Sequence, residues 1–415
     1  MIRNCFCLLL ALCLASGCDV RQSSSPGAGR ASEGAAGERT GIPDKNTADG
    51  GRISPDEDGP SPPEDLLSLK DSVRYAVGYK VIRSGGYTTV EVRDPWNERK
   101  LLQRYLLAPR DLPLPEGMPK GVVVRVPLRN IAVYTSVHSA ILDELGATGD
   151  ISGVCESRYI NIPAIKENIR NGLITDLGEA TSPSVEKMIE TGTEVILASP
   201  FEHGSYGAVE KLGIPIIECA DYMETSPLGR AEWIKFIGLL TGRNARADSI
   251  FRQTEANYLR IKALAGNTEY RPALMTGMKY GSTWYVPSRE SFMAHVYNDA
   301  GANYLFSYLP GAGSTPMSFE TVLEKAIHAD IWLIHYNRES EMTYDALKSD
   351  YSPYSRFDAF RNRHIYACNT NHSLYYEEVP VHPDYLLAEL IAIFHPHLLP
   401  EHKFRYFAPL SDENK

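Results

Sequence analysis

The chain has 415 residues, a formal net charge of −10 and 43% hydrophobic residues. This length and composition predict a globular protein of two or three domains. The acidic balance argues against a nucleic-acid binder, which would carry a basic excess. Tyrosine outnumbers phenylalanine by 24 to 12, which suits a wet binding surface because a tyrosine ring joins apolar area to a polar tip.

The amino terminus has the pattern of a targeting segment. Arg3 precedes a short apolar stretch and then small residues, which predicts a signal peptide over residues 1–17. The apolar stretch is shorter than the roughly 20 residues that span a bilayer. The motif LASGC at residues 14–18 resembles a bacterial lipobox. That resemblance implies cleavage before Cys18 and lipidation of that cysteine.

The composition of the next segment predicts a flexible tether. Residues 19–63 contain 8 Gly, 6 Pro and 6 Ser and no aromatic residue, so they cannot bury enough apolar area to offset the entropy of ordering. We therefore expect residues 18–63 to be a disordered, lipid-anchored tether. Of the seven cysteines, Cys5, Cys7 and Cys13 lie in the predicted signal peptide. Apart from Cys18, the cysteines that remain are Cys155, Cys219 and Cys368. They form no CxxC pair, which excludes a structural zinc signature and leaves their pairing open.

The folded body begins with a β-rich extension at 64–129. Alternating apolar residues at 75–81 and 87–92, joined by Ser-Gly-Gly, predict a β-hairpin. Further strands are expected at 102–107 and 122–126.

From residue 130 onward, short apolar strands alternate with helical stretches, which predicts an α/β fold with mainly parallel sheets. One long helical pattern over 244–266 places apolar residues on one face at three- and four-residue spacing. It divides the body into an N-lobe at 130–243 and a C-lobe at 267–415.

The two halves share a local motif. Ser184-Val185-Glu186 and Ser318-Phe319-Glu320 each begin a predicted helix that leads into a strand. The serine is a good N-cap, and a glutamate in the first turn complements the helix dipole. Each half would therefore present one exposed carboxylate at a matching point.

These features resemble a known family. The order of anchor, tether, α/β half, long helix and α/β half is similar to that of the ABC-importer substrate-binding proteins that capture iron–siderophore complexes, haem and vitamin B12. The supporting motifs are DLGEA at 176–180 with SVEKMI at 184–189, SFE at 318–320, and YYEE at 375–378 with PDYLLAEL at 383–390. The resemblance covers about residues 122–400.

The resemblance implies a class III periplasmic binding protein fold, with two three-layer lobes joined by one long α-helix. It implies a monomeric receptor in the bacterial cell envelope that faces the periplasm or cell surface. It also implies that Glu186 and Glu320 dock on arginines of a permease, which works with an ATPase. No enzymatic activity and no cofactor of its own are expected, and the ligand would be an iron chelate, haem or a corrinoid.

Ligands of α/β sheets bind beyond the carboxyl ends of the strands, so the loops at these ends are the predicted cleft. They are rich in aromatic, histidine and arginine side chains, which suit a planar macrocycle or an anionic chelate, and a His or Tyr could ligate a haem iron. The predicted ligand contacts are His138, Glu179, Ala180, Phe201, His203, Tyr206, Trp284, Tyr285, Arg289, Tyr336, Arg338, His372, Tyr375 and Tyr376.

Several alternatives stay open. In B12-binding members of the family a tryptophan often precedes the docking glutamate by six positions, where this chain has Ala180 and Ser314. This departure favours an iron complex over a corrinoid. A zinc or manganese receptor is a further alternative, because His138, His203 and His335 fall on cleft loops. A hydrolase finds no support, since neither a GxSxG nor a P-loop motif is present.

Overall fold

A computed structural model describes residues 73–97 and 99–412. The predicted signal peptide, the lipidation site Cys18 and the predicted tether lie outside these residues. No helix within the two described ranges is both long enough and apolar enough to cross a bilayer.

The first element is a four-stranded sheet with the strand order β1-β2-β3-β4. β1 to β3 pair antiparallel, whereas β4 pairs parallel to β3. This sheet agrees with the expected β-hairpin extension. Its strands are β1 (Tyr79–Ser84), β2 (Tyr87–Arg93), β3 (Leu101–Pro109) and β4 (Val122–Val126).

β1 begins at Tyr79, four residues later than predicted. The preceding backbone is held by side chains instead of by a neighbouring strand. The N–H groups of residues 74–76 donate to the carboxylate of Glu232 at 2.7–3.1 Å. Those of residues 77–78 donate to Oε1 of Glu224 at 2.9 and 2.8 Å. Both carboxylates are buried, so this segment satisfies its donors without forming a ladder.

The N-lobe is built on a parallel five-stranded sheet with the order β11-β10-β5-β6-β7. A two-stranded hairpin, β8 and β9, follows the edge strand β7. The strands are β5 (Ile131–Val133), β6 (Ile151–Val154), β7 (Thr175–Asp176), β8 (Gly178–Glu179), β9 (Ser182–Pro183), β10 (Val195–Ala198) and β11 (Ile216–Glu218).

Four α-helices accompany this sheet, and the predicted helix at 207–212 is a 3-10 helix. The helices are α1 (Ser136–Glu144), α2 (Pro163–Arg170), α3 (Val185–Glu190) and α4 (Pro227–Thr241). In α4 every residue except Arg230 is buried. The N-terminal sheet accounts for this burial, because Tyr79 packs on Trp233 and Phe236 of α4 with ring centroids 4.9 and 5.6 Å apart.

The long connecting helix α5 spans Asn244–Ala265, in agreement with the sequence pattern. Its buried residues Ala247, Phe251, Thr254, Tyr258 and Ile261 recur at three- and four-residue spacing. Phe251 belongs to the core of the N-lobe, and Tyr258 to the core of the C-lobe. One rigid helix therefore connects the two cores.

The C-lobe contains a five-stranded sheet with the order β15-β12-β17-β18-β19, parallel except for β19. A smaller antiparallel sheet, β13-β14-β16, accompanies it. The strands are β12 (Ala273–Thr276), β13 (Lys279–Tyr280), β14 (Thr283–Pro287), β15 (Asn303–Tyr304), β16 (Ser314–Met317), β17 (Ile331–Tyr336), β18 (Ile365–Asn369) and β19 (Ala408–Pro409). The helices are α6 (Phe292–Asp299), α7 (Phe319–Ala326), α8 (Tyr344–Asp350), α9 (Asp358–Arg361), α10 (Tyr375–Glu378) and α11 (Pro383–Phe394).

The chain after α11 is held in the same manner as the segment before β1. Glu389 of α11 is fully buried. Its carboxylate accepts the backbone N–H groups of Arg405 and Tyr406 at 2.7 and 2.8 Å, and also that of Phe407. Each end of the described body is therefore fixed by one buried glutamate that accepts three consecutive backbone donors.

Candidate functional site

The carboxyl edges of the two parallel sheets meet at a direct contact between the lobes. Asn161 follows β6 of the N-lobe, and its backbone N–H donates to Oε1 of Glu377 in α10 at 3.0 Å. Its side-chain amide lies 3.5 Å from the carbonyl oxygen of Thr370, just after β18. Burial raises the pKa of Glu377. This contact therefore brings the loop after β6 of the N-lobe against the loop after β18 and α10 of the C-lobe.

A second contact joins the lobes through His382, between α10 and α11. Its Nε2 lies 3.3 Å from Oε1 of Glu144 at the end of α1, and its Nδ1 lies 3.3 Å from Oγ1 of Thr254 in α5. The hydrogen bond with His382 holds the pKa of Glu144 below its usual value. The N-lobe, the connecting helix and the C-lobe are thus joined at one side chain.

Three aromatic rings of the N-lobe form a ladder at the carboxyl end of the sheet, after β5 and β10. Phe201 is 41% exposed, and its ring packs edge-on to Tyr206, which in turn packs edge-on to Tyr134, with centroids 6.2 and 6.3 Å apart. The Tyr206 hydroxyl donates to Glu218 at 3.1 Å. Burial raises the pKa values of both Tyr206 and Glu218. The ladder therefore presents a fixed aromatic surface whose outermost ring faces solvent.

The other predicted N-lobe contacts surround this ladder. His203 is exposed and lies 3.8 Å from Glu202. Glu179 is exposed and pairs with Arg158 at 2.9 Å. The backbone N–H of Ala180 donates to Glu156 at 3.2 Å. The side chain of Ala180 is a methyl group and offers no polar contact.

On the C-lobe side, the predicted arginines are already paired. Arg338 contacts Asp350 at 2.5 Å, and Arg289 contacts Glu290 at 3.0 Å. Both pairs are solvent-accessible, and such pairs contribute about 0–1 kcal/mol. A ligand carboxylate or hydroxamate can therefore replace Asp350 or Glu290 at little cost.

Three of the predicted aromatic or histidine contacts in the C-lobe are accessible to solvent. Tyr376 is 42% exposed, and its ring packs edge-on against Tyr375 with the centroids 5.4 Å apart. His372 is exposed, with Nε2 3.0 Å from the carbonyl oxygen of Glu339. Tyr285 is half-buried on β14.

Two predicted contacts of the C-lobe lie in its core. Trp284 is fully buried, and its indole N–H donates to the carbonyl of Thr276 at 2.9 Å while its ring stacks on Trp332. Tyr375 is buried against His335. These aromatic rings pack between the sheet and its covering helices, so either would reach a ligand only after a rearrangement.

Two further predicted contacts are buried with fixed polar partners. The hydroxyl of Tyr336 donates to Glu341 at 2.6 Å, and burial raises its pKa to about 12. His138 has no exposed surface, and its Nε2 lies 3.0 Å from Oδ1 of Asp221. Burial alone would raise the pKa of Asp221, but the contact with His138 and the nearby Arg230 holds that pKa below its usual value.

Some polar residues at the strand ends and at the junction of the lobes are missing from the predicted set. Asn161 and Arg158 follow β6, and Asp221 follows β11, so the strand-end rule that selected the other loops applies to them as well. Arg230, whose guanidinium lies over the ring of Phe292 in α6 at 5.5 Å, is different. Only the three-dimensional structure brings it to the junction of the lobes.

The two predicted docking carboxylates occupy equivalent positions. Glu186 and Glu320 are exposed in the first turns of α3 and α7. The hydroxyl oxygens of Ser184 and Ser318 cap these helices by accepting backbone N–H groups three residues on, at 3.3 and 3.1 Å. Each helix follows a short antiparallel strand, β9 or β16.

The described residues offer no cluster of three or more His, Cys, Asp or Glu side chains arranged to hold a metal ion. Cys155, Cys219 and Cys368 are free thiols in the interior, and burial raises the pKa of Cys155 and of Cys368 to about 12. These thiols are therefore protonated and unreactive near neutral pH.

Comparisons with known proteins agree with this architecture. Residues 131–371 match the model of the family described as periplasmic binding protein. The uncharacterized lipoprotein MJ0878 of Methanocaldococcus jannaschii is 26% identical over 341 residues, which cover 77% of this chain and 80% of that protein.

Solved structures show the same fold. A periplasmic heme-binding protein from Pseudomonas aeruginosa has a TM-score of 0.52 at 18% identity and covers 69% of this chain and 100% of its own. The periplasmic heme-binding protein RhuT from Roseiflexus sp. RS-1 has a TM-score of 0.51 at 19% identity, with coverages of 65% and 99%. The chain therefore belongs to the periplasmic binding protein family and has the class III fold, in which one long helix joins two α/β lobes.

Proposed function

We propose that this protein is the substrate-binding lipoprotein of an ABC importer. In this proposal it captures an iron complex, a siderophore or haem, in the cleft between its lobes and delivers it to a membrane permease powered by an ATPase. Lipidation of Cys18 would hold it in the cell envelope. It acts as a monomeric receptor without enzymatic activity, and the iron complex is its cargo.

The observation that carries the proposal is the composition of the cleft edges. The N-lobe edge presents the exposed ring of Phe201, and the C-lobe edge presents Tyr376 together with Arg338 and Arg289 in exchangeable ion pairs. Aromatic faces suit a planar macrocycle or a catecholate ring, and guanidinium groups suit the anionic groups of haem or a ferric chelate. The heme-binding proteins with the same fold are consistent with such a cargo.

Delivery would use the matched carboxylates Glu186 and Glu320. Their placement on equivalent short helices of the two lobes gives the receptor two charges at a fixed separation, because α5 is a continuous helix. Charge pairs at such an interface set orientation and the rate of encounter.

The test is a spectroscopic titration of the purified full-length chain. Haemin, ferric siderophores, cyanocobalamin, Zn²⁺ and Mn²⁺ are added separately, and the tryptophan fluorescence is recorded together with the absorption of each coloured ligand. We expect a saturable shift with haemin or with a ferric siderophore. Binding of cyanocobalamin alone would assign a corrinoid cargo, binding of free Zn²⁺ or Mn²⁺ alone a metal-ion receptor, and the absence of any response would refute cargo binding.

A further inference from the structure

The N-terminal sheet differs in charge from the rest of the chain. Residues 79–129 contain ten Lys or Arg and five Asp or Glu, a net charge of +5 in a chain of net charge −10. Of the fourteen large apolar residues that are exposed in the described ranges, six lie between Val77 and Val123. The basic excess lies outside residues 111–120, which contain Asp111, Glu116 and Lys120. The segment as a whole therefore combines a basic net charge with exposed apolar side chains.

The sheet has one inner and one outer face. Its inner face packs on α4, and successive side chains of a strand point to opposite faces. Lys80, Glu91 and Arg104 lie side by side on the outer face across β1, β2 and β3. Arg104 is bound to Glu91 at 2.8 Å. In the next row across the sheet, Ile82 and Val123 are exposed at the two edges, whereas Thr89 and Leu106 between them are buried.

A loop at residues 111–120 presents two leucines beside this face. Leu112 and Leu114 are 48% and 44% exposed. The loop is held at its base, because Nη1 of Arg125 donates to the carbonyl oxygens of Pro109 and Leu112 at 2.7 Å each. At its far end Arg104 donates to the carbonyl of Lys120 at 3.3 Å. The two leucines are therefore held outward by hydrogen bonds from the sheet.

We propose that the outer face of the N-terminal sheet, together with the loop at 111–120, is a docking surface for an anionic membrane. Leu112 and Leu114 enter the boundary between headgroups and acyl chains, while Lys80 and Lys120 contact lipid phosphates. Membrane surfaces bind proteins through this combination of inserted apolar side chains and basic charge.

The charge of the sheet favours a membrane as the occupant. Residues 79–129 carry a net charge of +5, opposite in sign to that of the chain as a whole, so an anionic surface attracts this sheet selectively. The proposal does not depend on which cargo the cleft binds.

The test places a tryptophan reporter in the full-length chain. Leu114→Trp is mixed with vesicles of brominated phosphatidylcholine that contain phosphatidylglycerol, and quenching is measured relative to the unsubstituted chain. Leu173→Trp is the matched control, because Leu173 is 69% exposed on the N-lobe outside the sheet. We expect quenching of the reporter at position 114 only, and roughly a threefold weaker effect in 0.5 M salt because salt screens surface charge.

Charge reversal supplies the second comparison. In the Leu114→Trp background, Lys80→Glu with Lys120→Glu should lower vesicle affinity about tenfold. Lys211→Glu with Lys348→Glu changes the net charge equally at exposed positions elsewhere and should leave it unchanged. Equal quenching at positions 114 and 173, or equal effects of the two charge pairs, would overturn the proposal. The absence of quenching at position 114 would also overturn the proposal. An acidic protein would then be the alternative partner for this surface.

Discussion

Single buried carboxylates hold the ends of this fold. Glu232 is the clearest example. Its carboxylate accepts hydrogen bonds from the backbone N–H groups of residues 74–76 and also contacts Nζ of Lys235 at 2.9 Å. Burial alone would raise the pKa of Glu232, but these donors outweigh burial and hold the pKa below its usual value. The folded state therefore stabilises the ionised form of the Glu232 side chain.

We expect Glu232→Gln to lower the free energy of unfolding by about 2–3 kcal/mol, because a hydrogen bond to a charged group contributes about 1.5–3 kcal/mol and several are weakened together. Chemical denaturation at neutral pH measures the change. The matched control is Glu324→Gln, at an exposed position of α7, which should stay within about 0.5 kcal/mol of the unsubstituted protein. An equal loss in both variants would show that the buried contact is not the cause.

His335 makes stability depend on pH. Its ring lies between Tyr375 and Phe407, its Nε2 is buried without a hydrogen-bond partner among the described residues, and burial lowers its pKa to about 4. The unfolded chain binds a proton near pH 6.5, whereas the folded chain does so only near pH 4. The free energy of unfolding should therefore fall by up to about 3 kcal/mol between these values as the pH is lowered.

Replacing the imidazole tests this assignment. His335→Leu should remove most of the loss of stability between pH 6.5 and pH 4, measured by denaturation at a series of pH values. His203→Leu is the control, because the side chain of His203 is 92% exposed. A pH profile that is unchanged in His335→Leu would contradict the role of this histidine.

At the scale of elements, periodicity predicted the connecting helix well and the segment before β1 poorly. The spacing of Phe251, Thr254 and Tyr258 reflects one buried face of α5, which a sequence window records directly. The segment at 74–78 alternates like a strand, but its hydrogen-bond partners are Glu224 and Glu232, about 150 residues later. No local pattern carries that information.

The site was predictable to the extent that it follows strand ends. The rule placed Phe201 and Tyr376 on accessible edges, whereas Trp284 lies in the core. An aromatic residue at the end of a strand can pack inward or outward, and the choice depends on distant partners such as Trp332. Sequence alone therefore predicted which loops follow the strands better than it predicted which of their side chains are exposed.

The aromatic edges of the cleft give a prediction about binding. Phe201→Ala and Tyr376→Ala should each weaken cargo binding about tenfold, because a stacked aromatic ring contributes of the order of 1 kcal/mol or more. Tyr270→Ala is the control, since Tyr270 is 62% exposed and lies between α5 and β12, away from the strand ends. Fluorescence titration with the ligand that saturates in the spectroscopic test provides the measurement, and equal affinities in all three variants would count against the cleft.

At the scale of the whole molecule, the paired carboxylates predict a separation of binding from transport. Glu186→Ala with Glu320→Ala should lower uptake by membranes that contain the permease about tenfold or more, while cargo affinity stays the same. Glu190→Ala with Glu324→Ala removes one exposed carboxylate from each of the same helices, α3 and α7. Undiminished uptake in the first double variant, or an equal decrease in the second, would refute the docking role.

The attachment of the first described residues has a mechanical consequence. Residues 74–76 are bound to Glu232 of α4, and Arg74 and Tyr75 also contact Glu255 of α5. A pulling force applied from the amino-terminal side would therefore pass first into two adjacent helices beneath the sheets. The second of these helices, α5, belongs to the cores of both lobes. In a receptor held by its amino terminus, tension would therefore act on the element that joins the lobes and not on one lobe alone.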